Sequence, residues 1–204
     1  MYDGFEELDL VGPWEMATMW QHYGEGPSCF TLSETGKQVD CAKGLKVVPD
    51  YSFANVPQFD FLLVPGGLAA REQAKNAHVN AFLAEVAITA EAVLSVCTGA
   101  LMLHAAGLLH DKRATTHWRA LPTLRAFADV EVTETRFVHD GAIWTSAGVS
   151  AGIDMMLAFI ADQAGAETAG IVQHGSEYYP DPVRYGSAAM AEGSPAYVRA
   201  APMV

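Results

Sequence analysis

One stretch constrains the fold more than any other, Ala92-Val93-Leu94-Ser95-Val96-Cys97-Thr98-Gly99-Ala100-Leu101-Met102-Leu103. Its first half is a short apolar, β-branched run, the pattern of a buried strand. Its second half is made of helix formers, continued by Ala105 and Ala106, and Gly107 stands where a helix C′ residue would. Cys97 falls between the two halves. A cysteine on a tight strand-to-helix turn is presented at the carboxyl edge of a sheet. It faces the positive end of the following helix, which lowers a thiol's pKa and favours thiolate. Serine nucleophiles use the same elbow. A free cysteine is also commonly a small buried hydrophobe. Position alone leaves both readings of Cys97 open.

The 204 residues suffice for one full-sized domain, and half of them are hydrophobic, so a large core is available. A net charge of −12 argues against nucleic acid and anionic membrane surfaces as partners, because both need a basic face. No apolar run has membrane-spanning length, and no signal-peptide pattern opens the sequence. Three cysteines, Cys29, Cys41 and Cys97, form an odd set without C-x-x-C spacing. That fits free thiols in a reducing cytoplasm better than a disulfide framework or a zinc site.

In chain order, Tyr2 to Leu10 reads as a loop leading into a helix whose first turn carries Gly12-Pro13. An α/β domain normally has a strand before that loop, so a first strand is expected to be missing ahead of Tyr2. Ser28 to Ser33 and Leu45 to Pro49 read as extended pieces. Asp60 to Val64 is the clearest strand, broken sharply by Pro65-Gly66-Gly67. Val79 to Ala90 has helical spacing. After the elbow, Asp111-Lys112-Arg113 reads as a polar turn and Ala114 to Trp118 as a short strand and its exit. Ala120 to Phe127 reads as a helix and Val130 to Val132 as a weak strand. Asp140-Gly141 marks a hairpin. Ala147-Gly148-Val149-Ser150 is a second sharp junction, followed by helices over Ile153 to Ala161 and Ala166 to Tyr178. Residues 1–180 are expected to form the domain, and 181–204 an extended or partly disordered tail.

Strands alternating with helices predict a mostly parallel, flavodoxin-like sheet in a three-layer α/β/α sandwich. Sites in such sheets lie outside the carboxyl ends of the strands. Three candidate ends converge there: Pro65-Gly66-Gly67, Cys97-Thr98-Gly99 and Thr116-His117-Trp118. No dinucleotide fingerprint or phosphate loop is present, and no cofactor is implied.

The Tyr2-to-Pro13 segment, Asp60 to Gly67, Ser95 to Ala100, and Ala114-Thr115-Thr116-His117-Trp118 together resemble the ThiJ/PfpI superfamily, the class I glutamine-amidotransferase-like proteins. The resemblance runs from Tyr2 to about Tyr179. Leu8-Asp9-Leu10 and the Cys-Thr-Gly elbow look most like isonitrile hydratases. The elbow and the Thr-Thr-His-Trp motif also resemble the sensor domains of AraC-type regulators. By this resemblance the missing first strand is a central one, and a neighbouring strand loses its hydrogen-bond partner. The resemblance also implies a homodimer acting on a small molecule.

The resemblance makes Cys97 the nucleophile. Asp9 faces it from the first loop, its pKa raised because like charges disfavour joint ionisation. The alternative for Asp9 is a helix-dipole partner. Backbone N–H groups of Gly66, Gly67 and Thr98 approach a developing negative charge. The Thr98 hydroxyl bonds the acid or the thiolate, or caps the elbow helix. In related proteases a histidine directly follows the cysteine. Here that residue is Thr98, which argues against a protease triad and leaves His117 either a direct catalyst or a wall or orienter, with His117 and Trp118 both expected to line the substrate site. Three activities stand open. The first is hydration of an isonitrile to a formamide through a Cys97 thioimidate, with Asp9 as acid and base. The second is a non-catalytic small-molecule or oxidation sensor. The third is a glyoxalase- or deglycase-like activity, which needs a glutamate such as Glu6 or Glu7 facing the cysteine.

Overall fold

The computed structural model describes residues 1–181, 183–186 and 192–200. The first element is helix α1 (Glu7–Tyr23). It begins before Gly12-Pro13, so Pro13 lies inside it rather than in its first turn. An interior proline removes one helical donor. Tertiary packing holds the helix in spite of this: Gly12 lies so close to Ile153 that a Cβ would come within 2.8 Å of its Cγ1.

Four two-residue strands follow: β1 (Leu32–Ser33), β2 (Val39–Asp40), β3 (Lys46–Val47) and β4 (Tyr51–Ser52). β1 pairs in parallel with β4, and β2 antiparallel with β3. The extended pieces anticipated at 28–33 and 45–49 thus shrink to two residues each.

Next come β5 (Phe61–Val64), α2 (Ala70–Gln73), α3 (Ala77–Thr89), β6 (Ala92–Val96) and α4 (Gly99–Ala105). Asn76 caps α3, its Oδ1 accepting from His78 N at 3.0 Å and Val79 N at 3.4 Å. Asn76→Ala is expected to cost about 1 kcal/mol. In a chain of this size that lowers the thermal midpoint by about 2–4 °C in a melting experiment.

β7 (Lys112–Ala114) corrects the polar-turn reading of Asp111-Lys112-Arg113. It pairs in parallel with β8 (Val130–Val132), and α5 (Leu121–Arg125) lies between them in sequence. Polar side chains are tolerated there because Arg113 is exposed, while its backbone N–H donates to Asp140 Oδ2 at 2.8 Å. β9 (Phe137–Asp140) and β10 (Ile143–Ser146) form the expected hairpin, with Gly141 at φ +63°. Helices α6 (Ala151–Ala164) and α7 (Ala166–Gly175) follow. In the tail, α8 (Ala196–Arg199) is a single helical turn. The tail's residues 182, 187–191 and 201–204 lie outside the described residues.

The main sheet has the order β5-β6-β10-β9, parallel except for β9. Its side chains alternate between two cores. Leu62, Val64, Val93 and Ile143 face the cluster built with α3 and α4. Leu94, Val96 and Trp144 face the cluster built with α1 and α6. All five residues of β6 are buried, as its central position between β5 and β10 requires. The result is a three-layer α/β/α sandwich with the elbow at the carboxyl end of its central strand.

Candidate active site

The elbow is held from three sides. Cys97 sits at φ +56°, a left-handed conformation that side-chain-bearing residues avoid. Its N–H is shared between Ser146 O and Ala147 O, both at 3.1 Å, at the end of β10. Its carbonyl accepts the Thr116 hydroxyl at 2.7 Å. Strands and glycines close in from the third side: a Cβ on Gly66 would lie 2.5 Å from Thr98 N. Several backbone segments therefore fix one strained residue.

Asp9, on the first turn of α1, is fully buried. Its Oδ2 accepts the Gly66 N–H at 2.9 Å. Its Oδ1 is buried with no hydrogen-bond partner among the described residues. Gly67 and Thr98 are locked reciprocally: Gly67 N donates to Thr98 Oγ1 at 2.9 Å, and that hydroxyl donates to Gly67 O at 2.7 Å. Thr98 makes no side-chain cap on α4. Both glycine N–H groups are thus already bonded inside the protein. They orient Asp9 and Thr98, and neither is a free donor to a developing negative charge.

Burial dominates the electrostatics. It pushes the Asp9 carboxyl up to about 7, with the charge of Glu6 adding to the effect and the Gly66 N–H opposing it. It pushes the Cys97 thiol up to about 12, and the Asp9 charge adds to it. Backbone N–H groups of Thr98 and Val149 pull the thiol the other way. The elbow alone predicts a lowered thiol pKa. That expectation fails because Cys97 is only 6% exposed and a carboxyl stands beside it. The resting pair is therefore a neutral thiol next to a carboxyl that titrates near neutrality.

Tyr2 belongs to the same cluster. Its hydroxyl donates to Pro65 O at 2.9 Å, and burial, Asp9 and Cys97 in that order raise its pKa. Val149 and Tyr2 are the site residues that sequence reasoning passes over. Val149 acts through its backbone, at φ +46° in the junction after β10.

His117 is half-buried and packs on that junction: a Cβ on Gly148 would lie 2.2 Å from its Cδ2. Its Nδ1 accepts the Arg119 N–H at 3.1 Å. Burial and the Arg119 charge lower its pKa. It stacks on Trp118, which also carries the Arg119 guanidinium 4.9 Å above its ring. His117 therefore packs against the Gly148 junction, and Trp118 stacks on His117. Glu6 is paired with Lys43, and Glu7 Oε1 accepts the Lys43 N–H at 2.6 Å. Elsewhere, His104 stacks on Phe127 and bonds Asp129, His174 is exposed, and Cys29, Cys41 and Cys97 are free thiols. Among the described residues no group of three or more His, Cys, Asp or Glu is placed to hold a metal ion. No described helix is long and apolar enough to cross a membrane.

Fold and site together define a three-layer α/β protein with a cysteine elbow at the carboxyl edge of its sheet and a buried carboxyl beside the thiol. The chain belongs to the DJ-1/PfpI family, whose model matches residues 1–162. It is 35% identical over 185 residues to an isonitrile hydratase of Pseudomonas putida, covering 89% of this chain and 78% of that protein. A ThiJ/PfpI family protein from Pseudomonas syringae superposes with a TM-score of 0.84 at 35% identity, over 98% of this chain and 80% of that one. The transcriptional regulator GbdR of Pseudomonas aeruginosa is 36% identical over 138 residues. That match takes in 67% of this chain but only 37% of the regulator.

Proposed function

We propose that this protein hydrates an isonitrile to an N-substituted formamide. The observation that carries the reading is the identity of the carboxyl beside Cys97. It is Asp9, while Glu6 and Glu7 are both engaged with Lys43. A glutamate in that place would have favoured aldehyde chemistry. The likeness to the Pseudomonas putida hydratase supports the same choice.

The chemistry follows from the proton inventory. Asp9 in its carboxylate form takes the thiol proton as Sγ attacks the terminal isonitrile carbon. It then delivers that proton to the same carbon, giving the thioimidate R–N=CH–Sγ. Water adds to this carbon, and Asp9 passes one water proton to nitrogen. The C–Sγ bond breaks, the carbonyl forms, and the second water proton returns to sulfur. The sum is R–NC plus water giving R–NH–CHO. Thr98 and Val149 N–H groups steady negative charge on sulfur in both halves. The same reading includes a homodimer in a reducing cytoplasm.

The test is to incubate the protein with a simple alkyl isonitrile. The formamide formyl proton is followed by NMR, and the intact mass is measured after acid quench. Release of formamide, with a transient adduct on the Cys97 peptide, is expected. A folded protein that releases none would overturn the hydratase reading. An adduct that never turns over would instead favour a sensor, the reading that the regulator GbdR's likeness supports.

A further inference from the structure

The sharp turn after β10 carries more strain than its cover explains. Val149 is β-branched and sits at φ +46°, where such residues are outliers. Gly148 and Val149 are only half-buried and Ser150 is exposed, so core packing holds the turn weakly. Yet the Val149 N–H is one of two main-chain donors on the Cys97 sulfur. The other, the Thr98 N–H, stands in the elbow itself and is packed against Gly66. Val149 reaches the sulfur from a separate element, so something must keep it there.

Arg136 bonds that turn at both ends. Its carbonyl accepts the Ala147 N–H at 2.9 Å, which extends the β9-β10 ladder past the pairing of Ser146 with Phe137. Its guanidinium then crosses the turn. Nη2 donates to Ser150 Oγ at 3.2 Å, and Nε donates to Asp154 Oδ2 in the first turn of α6. Ser150 is the N-cap residue of α6, yet its hydroxyl caps no helix N–H and serves Arg136 instead. Tyr178 donates its hydroxyl to the other Asp154 oxygen, Oδ1, at 3.1 Å, so that carboxylate is fixed from two sides. His117 closes in on the turn from the Gly148 side. A guanidinium presents Nε and Nη2 in one rigid plane, hence in two fixed directions, and a lysine ammonium has no such fork. As a source of stability the Arg136–Asp154 pair is weak, because both side chains reach water, at 39% and 27% exposure. Its contribution is geometric.

We propose that Arg136 is a positioning residue of the active site: by holding Ala147 through its backbone, and Ser150 and Asp154 through its side chain, it keeps the Val149 N–H on the Cys97 sulfur. Its bonds go to the turn and to α6, and it acts on the thiol through them. The inference rests on Cys97 being the reacting group, as in the hydratase reading. Without the guanidinium the turn relaxes from its left-handed φ, the donor leaves the sulfur, and the thiol gives up its proton less readily.

The test reads the sulfur directly. The protein is treated with iodoacetamide at neutral to mildly alkaline pH, and alkylation of the Cys97 peptide is timed by mass spectrometry. A C–S bond forms, the C–I bond breaks and iodide leaves, so the rate follows the thiolate fraction. Arg136→Met keeps the apolar stem and removes every donor. It is expected to slow alkylation at each pH by about tenfold, the usual effect of one hydrogen bond to a charged atom. Its thermal midpoint should stay within about 2–4 °C of wild type. Arg136→Lys keeps the charge without the fork and is expected to stay slow. Ser150→Ala keeps Arg136, removes one of its acceptors, and is expected to slow alkylation by a smaller factor. Asp9 and Tyr2, ionisable groups that face the sulfur, are untouched in all three variants. Full recovery by lysine would overturn the proposal, since charge alone would then act. So would unchanged or faster alkylation of Arg136→Met, which would mark the pair as a surface contact only. If Arg136→Met does not fold, Ser150→Ala decides, and a wild-type rate there overturns the proposal. Formamide release plays no part in this readout, so failure of the hydratase reading leaves its outcome standing.

Discussion

Cys97→Ala is expected to abolish formamide formation, and Asp9→Asn to slow it by about 10²–10⁴-fold. Alanine removes the sulfur, the protein atom that bonds the substrate carbon in the proposed sequence. Asparagine keeps the shape and the acceptor for the Gly66 N–H, so the fold tolerates it, but it cannot relay a proton. The wild-type rate should rise with pH through about 7, as Asp9 ionises, and then stay flat, because the thiol is pushed up to about 12. The two groups titrate as a coupled pair, so the midpoint belongs to both. Asp9→Asn should lack that rising limb. Stability moves the opposite way. The folded chain holds the Asp9 proton more tightly than the unfolded chain, so stability falls as pH rises from about 4 to about 7 and then levels off. Asparagine removes that decline. An unchanged pH limb, or a rate within tenfold of wild type, would take Asp9 out of the mechanism.

Gly99→Ala is expected to be strongly destabilising. Its Cβ would stand 2.4 Å from Val64 O and 3.2 Å from Pro65 O. Both are backbone atoms at the end of a sheet strand, so neither moves as a side chain does. Overpacking of this kind costs about 3 kcal/mol, which lowers the midpoint of this chain by about 6–12 °C. Gly170→Ala is the matched control. It also lies in a helix, but its Cβ would meet nothing within 4 Å. It should gain about 0.5–1 kcal/mol. If the two variants melt alike, the close approach of the elbow helix to β5 is not what holds this corner.

The elbow could be read from residue types because Ala92 to Val96 and Ala100 to Leu103 change pattern on either side of one cysteine. Asp60 to Val64 and the Asp140-Gly141 hairpin were readable for the same reason: a run of one character ends in a turn former. Reading failed where tertiary contacts override local pattern. Pro13 looks like a helix start, yet α1 begins at Glu7 because packing of Gly12 on Ile153 holds the helix through the proline. Lys112 and Arg113 look like a turn, yet their backbones form a strand at a margin where the side chains reach water. In the site, the identities of Gly66, Gly67 and Thr98 are apparent, but their partners are not. Those bonds span 57 and 31 residues, and no local spacing encodes them. Val149 is invisible to any reading by residue type, because its contribution is a backbone N–H. The direction of the thiol shift was hidden too, since it is set by how deeply the finished fold covers the sulfur.

The left-handed turn at Cys97 has an evolutionary consequence. Glycine would occupy that φ without strain, so a lineage selected only for folding would drift toward losing the thiol first. A thiol at that φ carries backbone strain that the fold itself does not need. Cys97→Gly is therefore expected to relieve that strain while removing the thiol, which separates the needs of the fold from those of the site.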